Sequence, residues 1–325
     1  MSEEGITTLN GTMMNGNIEL TNGRAHKEGA NGFIHIKNPH ISNMDEDVLY
    51  HFALGTKSHD LKKMFGDVKF VCIGGSPRRM ERFAHFLVKE LGYNVPSGLA
   101  LENITNATDR YAMYKVGPVL SVSHGMGVPS VSIMLHEIIK MMFHAGCTDV
   151  EFFRIGTSGG LGLKPGTVVV TSEAVDGQGK ASQDNLVLGK VVSRPSVLDK
   201  DLAERLLQCS MNDDFEVIMG KTMCTDDFYE GQGRLDGAFC DYNEDEKMAY
   251  LQDCHNRGVR NIEMESVCFG SMCHHAGIKC AVVCVTLLDR LQGDQVSTPH
   301  DVLDSWSQRP MTIVARHIKN RMKTL

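Results

Sequence analysis

Arg154 lies in the apolar run Phe152-Phe153-Arg154-Ile155 and is followed by Gly156-Thr157-Ser158-Gly159-Gly160. A buried guanidinium needs an anionic partner, because an unpaired charge is costly to take out of water. The hydroxyls and backbone donors that follow suit a phosphate. A structural salt bridge beside a glycine turn fits the same residues equally well. A second anion signal is Gly74-Gly75-Ser76-Pro77-Arg78-Arg79, between an apolar strand and a helix. Glycines let backbone N–H groups approach an anion, and the helix start adds a favourable dipole. Here the plainer alternative is a strand-to-helix turn with solvated arginines. No Walker loop occurs in the chain.

Two further segments carry recognition chemistry. In Phe228-Tyr229-Glu230-Gly231-Gln232-Gly233-Arg234, the Gln232 amide offers one acceptor and two donors. That matches a ring edge with N–H beside C=O, as uracil has at N3 and O2. Arg234 can donate to the other carbonyl, O4, and Phe228 can stack on the ring. A polar surface loop explains this segment too. In Asn261-Ile262-Glu263-Met264-Glu265-Ser266, Glu265 stands near the start of an apolar helix, where a carboxylate is favoured by the dipole alone. Its functional alternative is an acceptor for the 2′- and 3′-hydroxyls of a ribose, with Met264 on the sugar face.

Other patterns argue against themselves. Gly156-Thr157-Ser158-Gly159-Gly160 matches the nucleophile elbow of serine hydrolases, which needs a helix next. Leu161-Gly162-Leu163-Lys164-Pro165-Gly166 follows, and proline and glycine break a helix. Cys268, Cys273-His274-His275, Cys280 and Cys284 lack zinc-finger spacing, so no metal site is expected. His124 and His136 read as satisfied interior or interface histidines.

These residues need a scaffold, and the hydropathy pattern supplies one. Phe70 to Ile73, Phe152 to Ile155, Thr167 to Thr171, Glu216 to Thr222 and Cys280 to Leu288 read as strands. Tyr111 to Val116 and Val119 to Ser123 form a hairpin about Gly117-Pro118. Helical spacing marks 80–91, 130–145, 244–257, 264–276 and 301–322, and a short helix is expected over Asp45 to Phe52. Strand, glycine turn and helix in alternation predict one α/β domain with a large sheet, whose ligands sit in the loops after its strands.

Of 325 residues 42% are hydrophobic and the net charge is only −7, which excludes a mostly disordered chain. No basic stripe suggests nucleic acid. The longest uncharged run, Gly117 to Leu135, contains His124 and two prolines and fails as a membrane span. The N-terminus lacks a signal pattern, and ten cysteines without one indicate reduced thiols and a cytoplasmic location. Residues 1–33 read as a disordered tail, and 34–325 as the domain.

Taken in order, Lys69-Phe70-Val71-Cys72-Ile73-Gly74-Gly75-Ser76-Pro77, Thr108-Asp109-Arg110-Tyr111-Ala112-Met113-Tyr114, Ser123-His124-Gly125-Met126-Gly127, Arg154 to Gly159, Glu230 to Arg234 and Ile262 to Ser266 resemble the animal-type uridine phosphorylases of the nucleoside phosphorylase superfamily. The resemblance implies a single α/β domain with a mixed, partly closed sheet flanked by helices. It implies phosphorolysis of uridine, and by extension deoxyuridine, to uracil and (deoxy)ribose 1-phosphate. No cofactor is implied; inorganic phosphate is a co-substrate. Phosphate would be held by Gly75, Arg79, Arg154 and Thr157, with Arg110 from a partner subunit. Uracil would meet Phe228, Gln232 and Arg234. Ribose would meet Met264, Glu265 and the partner's His51. Gln232, Arg234 and Glu265 would carry the catalysis within a homodimer. Asp289, near the position where purine-specific relatives hold a proton donor, is expected to be structural, and Arg78 is left out of the phosphate set.

Overall fold

The computed structural model describes residues 32–94 and 100–324. The expected tail therefore lies outside the described residues as far as Asn31. Phe33 pairs with Thr148 in an isolated bridge.

In chain order the strands are β1 (Val48–Leu49), β2 (Leu54–Gly55), β3 (Phe70–Gly74), β4 (Met113–Val116), β5 (Val119–Ser123), β6 (Glu151–Gly160), β7 (Val168–Val175), β8 (Ser182–Val187), β9 (Lys190–Pro195), β10 (Val217–Cys224), β11 (Val259–Glu263) and β12 (Lys279–Asp289). The helices are α1 (Leu61–Phe65), α2 (Pro77–Glu90), α3 (Gly127–Ala145), α4 (Lys200–Cys209), α5 (Glu244–Asn256), α6 (Ser266–His275) and α7 (His300–Met322).

Local chemistry sets several boundaries. The Ser76 hydroxyl accepts from the Arg79 N–H and Pro77 opens α2, so the glycine turn passes straight into a capped helix. Asn243 and Glu246 form a reciprocal capping box on α5. The helix expected over 45–52 is instead the β1–β2 hairpin. Its apolar side chains, Leu49 to Phe52, are consecutive and lack a three-to-four spacing, and Ala53 turns the chain at φ 54°.

One eight-stranded sheet runs in the order β11-β10-β7-β12-β6-β3-β5-β4, with a further pairing of β11 to β6. That pairing closes β11, β10, β7, β12 and β6 into a five-stranded barrel, and β3, β5 and β4 extend from it as an open flank. Strand β6 belongs to both parts. Along one side it pairs with β12. Along the other its first half pairs with β3 and its last two residues, Gly159 and Gly160, pair with Ile262 and Asn261 of β11. The sheet therefore forks between β3 and β11, and the fork leaves a crevice at the strand ends.

Helices α2, α4 and α7 cover one face through Phe83, Leu202 and Ile313. Helices α1, α3 and α6 cover the other through Phe65, Leu135 and Phe269. No described helix is long and apolar enough to cross a membrane.

Candidate active site

The crevice holds a cavity of about 310 Å³. Its walls come from several places along the chain, Gly125 and Met126 before α3, Leu287 and Leu288 on β12 and Val296 among them. Gly75 and Arg79 arrive on the β3–α2 turn, and Arg154 and Thr157 on β6. Phe228, Gln232 and Arg234 stand on the loop after β10, and Met264 and Glu265 on the β11–α6 link. Nine of the eleven residues expected from the sequence thus share one cavity.

Arg154 is 3% exposed and its strand is flanked by Ile73 and Val282. Its guanidinium pairs with Glu263 at 2.7 Å and with Glu265, and it donates to Cys284 Sγ at 3.0 Å. Both readings of this arginine therefore meet in one group, a salt bridge whose charge faces a cavity. The residues after it are strand, not turn. Gly156 is needed because a Cβ there would stand 2.5 Å from Arg154 Nη1 and 3.0 Å from Cys284 Sγ. Burial alone would push the Arg154 pKa down, but the two carboxylates outweigh it and hold the charge firmly.

The two glutamates divide their work. Glu263 accepts from the N–H groups of Glu265 and Ser266 at 3.0 and 2.9 Å, so it caps α6. The sequence suggested that role for Glu265, but α6 begins after Glu265 and its first free N–H groups point back to Glu263. Burial keeps the Glu263 carboxyl above the usual range despite Arg154. Burial also acts upward on Glu265, but Arg154, His124 and the Gly127 N–H, which donates to Glu265 Oε1 at 2.5 Å, overcome it and hold Glu265 ionised. This wall is thus an anionic acceptor beside a fixed cation.

The opposite wall carries an amide, a guanidinium and an aromatic ring. Gln232 is 4% exposed and its Nε2 donates to Thr225 Oγ1 at 3.1 Å. Thr225 in turn donates its hydroxyl proton to Asp227 O at 2.9 Å. Gln232 Oε1 is left as an acceptor toward the cavity. Arg290, wholly buried, holds the Gln232 carbonyl at 2.9 Å through Nη2. Asp236 takes Nε and Nη2 of Arg234 at 3.0 and 3.1 Å, and the Asp294 carbonyl accepts from Nη2 as well. Nη1 of Arg234 stays free, while its guanidinium carbon lies 4.4 Å from the centre of the Phe228 ring.

One position differs from expectation. His124 is 1% exposed, and both ring nitrogens lack a hydrogen-bond partner among the described residues, so it is not a satisfied interior histidine. Burial and the nearby Arg154 push its pKa down to about 3, with Glu265 opposing them. His51 and Arg110 lie outside the cavity. His51 Nδ1 is 2.7 Å from Glu137 Oε1, its carbonyl accepts from Thr108 Oγ1 at 2.9 Å, and Arg110 is largely exposed two residues on. Asp289 accepts from the N–H groups of Gly162 and Leu291 at the end of β12, a structural task.

Sequence reasoning did not single out Thr225, Asp236, Arg290 or Asp294. An arginine directly after the longest apolar strand was a visible signal for Arg290, since burial demands a partner. Nothing short of the fold identifies the others.

Comparison with known proteins agrees with this geometry. Residues 69–319 match the family model of the phosphorylase superfamily. The chain is 57% identical to mouse uridine phosphorylase 1 over 89% of its length and 93% of that protein. It is 55% identical to human uridine phosphorylase 2 over 89% and 92%. A crystal structure of uridine phosphorylase from Schistosoma mansoni in complex with thymidine superposes with a TM-score of 0.85 at 42% identity, covering 89% of this chain and 99% of that one. With a matching family model over most of the chain and relatives more than half identical, the chain belongs to the uridine phosphorylase family of the phosphorylase superfamily.

Proposed function

We propose that the protein catalyses reversible phosphorolysis of uridine to uracil and α-ribose 1-phosphate. One observation carries this reading: a single cavity joins the cations Arg79 and Arg154 on one wall, an oriented amide and guanidinium on another, and an ionised carboxylate between them. The thymidine bound by the schistosome relative supports extending the substrates to 2′-deoxyribosides.

Phosphate lies against Gly75 N–H, Arg79, Arg154 and Thr157. Uracil gives N3–H to Gln232 Oε1 and takes donors at O2 from Gln232 and at O4 from Arg234, with Phe228 on its face. Glu265 and Met264 hold the ribose. As the N-glycosidic bond stretches the sugar gains oxocarbenium character. A phosphate oxygen bonds to C1′ from the face opposite uracil, which inverts that centre, and the bonding pair leaves with the ring. Arg234 meets the negative charge that grows at O4. Glu265 fixes the sugar by its hydroxyls, an orientation effect. The scheme uses phosphate as co-substrate and forms no covalent enzyme intermediate.

The position of His51 and Arg110 on one outer surface supports a homodimer in which each subunit completes its neighbour's site. Tyr50 and Met126, both mostly exposed apolar side chains, adjoin that surface and the cavity mouth. All ten cysteines are free thiols, which supports a reducing compartment such as the cytoplasm.

The test is incubation with uridine, deoxyuridine, thymidine and inosine, with and without phosphate, and identification of the sugar product. Uracil with ribose 1-phosphate, formed only when phosphate is present, is expected. Free ribose would assign a hydrolase, and binding without turnover would assign a non-catalytic nucleoside receptor.

A further inference from the structure

A second cavity, of about 510 Å³, opens on the other side of the β3–α2 turn, between α2 and α7. It shares Ser76 and Arg79 with the active site. Helix α2 lines it with Arg78, Arg82, His85 and Lys89, whose spacing of four, three and four places them on one stripe. Like charges so spaced cost helix stability unless something negative meets them. Asp304 of α7 is the only carboxylate among the described residues lining the cavity, and it pairs with Arg82 at 3.1 Å. Arg78, Arg79 and Lys89 have no carboxylate partner among the described residues. Phe86 and the buried Met311 give the cavity an apolar floor.

We propose that this cavity is a second anion site, built for an organic polyphosphate such as a nucleoside triphosphate, and that its occupant weakens phosphate binding next door through Arg79. The charged stripe runs from Arg78 to Lys89, about 16 Å of helix rise, too long for one phosphate group to span. The volume suits a nucleotide-sized ligand, and the floor suits a base. Arg79 is the link. It faces both cavities and has Arg154 and Glu265 on the inner side and Asp304 on the outer. A polyanion that pairs with Arg82 releases Asp304, and both then draw the Arg79 guanidinium outward. Coupling of this kind is reciprocal, so inorganic phosphate in the active site also weakens the outer ligand.

The regulatory half rests on the phosphorolysis reading; the binding half does not. Calorimetric titration with ATP, UTP and inorganic tripolyphosphate, at fixed ionic strength, with uracil filling the base position and no inorganic phosphate present, tests the site directly. One nucleotide per chain is expected, with tripolyphosphate at least threefold weaker because it cannot use Phe86 and Met311. The double variant Arg78→Glu, Lys89→Glu is expected to lose at least tenfold in affinity while keeping its basal phosphate KM. Absence of binding, or a double variant that binds as well as the unaltered protein, overturns the site. Equal binding of tripolyphosphate overturns its organic character. In the kinetic arm UTP is expected to raise the phosphate KM about fivefold, at the low end of ordinary allosteric coupling, with kcat unchanged. Binding with an unmoved KM overturns the role of Arg79. A protein that binds nucleotide but never phosphorolyses uridine keeps the site and fails the functional reading.

Discussion

Thr225 gives its one hydroxyl proton to the Asp227 carbonyl and can therefore only accept from Gln232, across 3.1 Å. This two-bond chain decides which end of the Gln232 amide faces the cavity. An amide that flipped would present N–H to the N–H of a pyrimidine and lose the pair. The orientation of the Gln232 amide thus depends on a residue that does not line the cavity.

Thr225→Val keeps the shape and removes the acceptor. The uridine KM is expected to rise about tenfold, the scale of one hydrogen bond, with a smaller change in kcat. Preference for uridine over inosine should narrow, and Thr225→Ser should restore both. Steady-state kinetics with the two nucleosides decides; an unmoved KM removes the orienting role.

On the proposed mechanism Arg234 meets the charge that grows on the departing ring. Arg234→Ala is expected to lower kcat by about 10²- to 10³-fold, the usual loss of one donor to a developing oxyanion. Uridine affinity should fall far less. Rapid-quench measurement of the chemical step separates the two, and an unaltered step would remove the assignment.

Much of this site was legible in the sequence, and the legible part has a common cause. Arg154 in an apolar run, Gly75 before a helix and Gln232 between glycines each break a local rule, and such breaks show in a string of letters. The five strands read from apolar runs are present, each longer than its run, because β6 and β7 continue through polar residues that pair across the barrel. The β8–β9 hairpin escaped notice because its burial is slight and carries no clean alternation. Strand β11 escaped because Arg260 and Asn261 interrupt its apolar residues. Thr225 and Asp294 follow no local rule, since their partners lie 7 to 60 residues away.

Site sharing between subunits is open to a complementation test. Arg110→Ala and Gln232→Ala homodimers should each be nearly inactive. After subunit exchange a mixed dimer carries one site with both residues intact, so a statistical mixture should recover about a quarter of full activity, on the symmetric closure of such dimers. No recovery after confirmed exchange would show that each chain serves its own site.

His124 gives stability a pH signature. Its pKa is about 3 when folded and near 6.5 when free, so the unfolded chain takes up a proton that the folded chain refuses. Stability is full above about pH 6.5 and is lost as pH falls toward 3, at up to about 1.4 kcal/mol per unit. His124→Leu should flatten the slope between pH 6.5 and 5. Urea midpoints at several pH values report it, and an unchanged slope would reject His124 as its source.

Because the barrel closes on itself, its five members offer no unpaired rim. Among the described residues the large sheet has a single terminal strand, β4, and there Met113 already bonds Ile104 through its carbonyl and Asn103 through its N–H. A sheet so finished gives a stray chain little backbone to add to, which guards against the edge-to-edge stacking that seeds fibrils. The large sheet can therefore hold an open, charged crevice at its strand ends without also presenting a long bare edge.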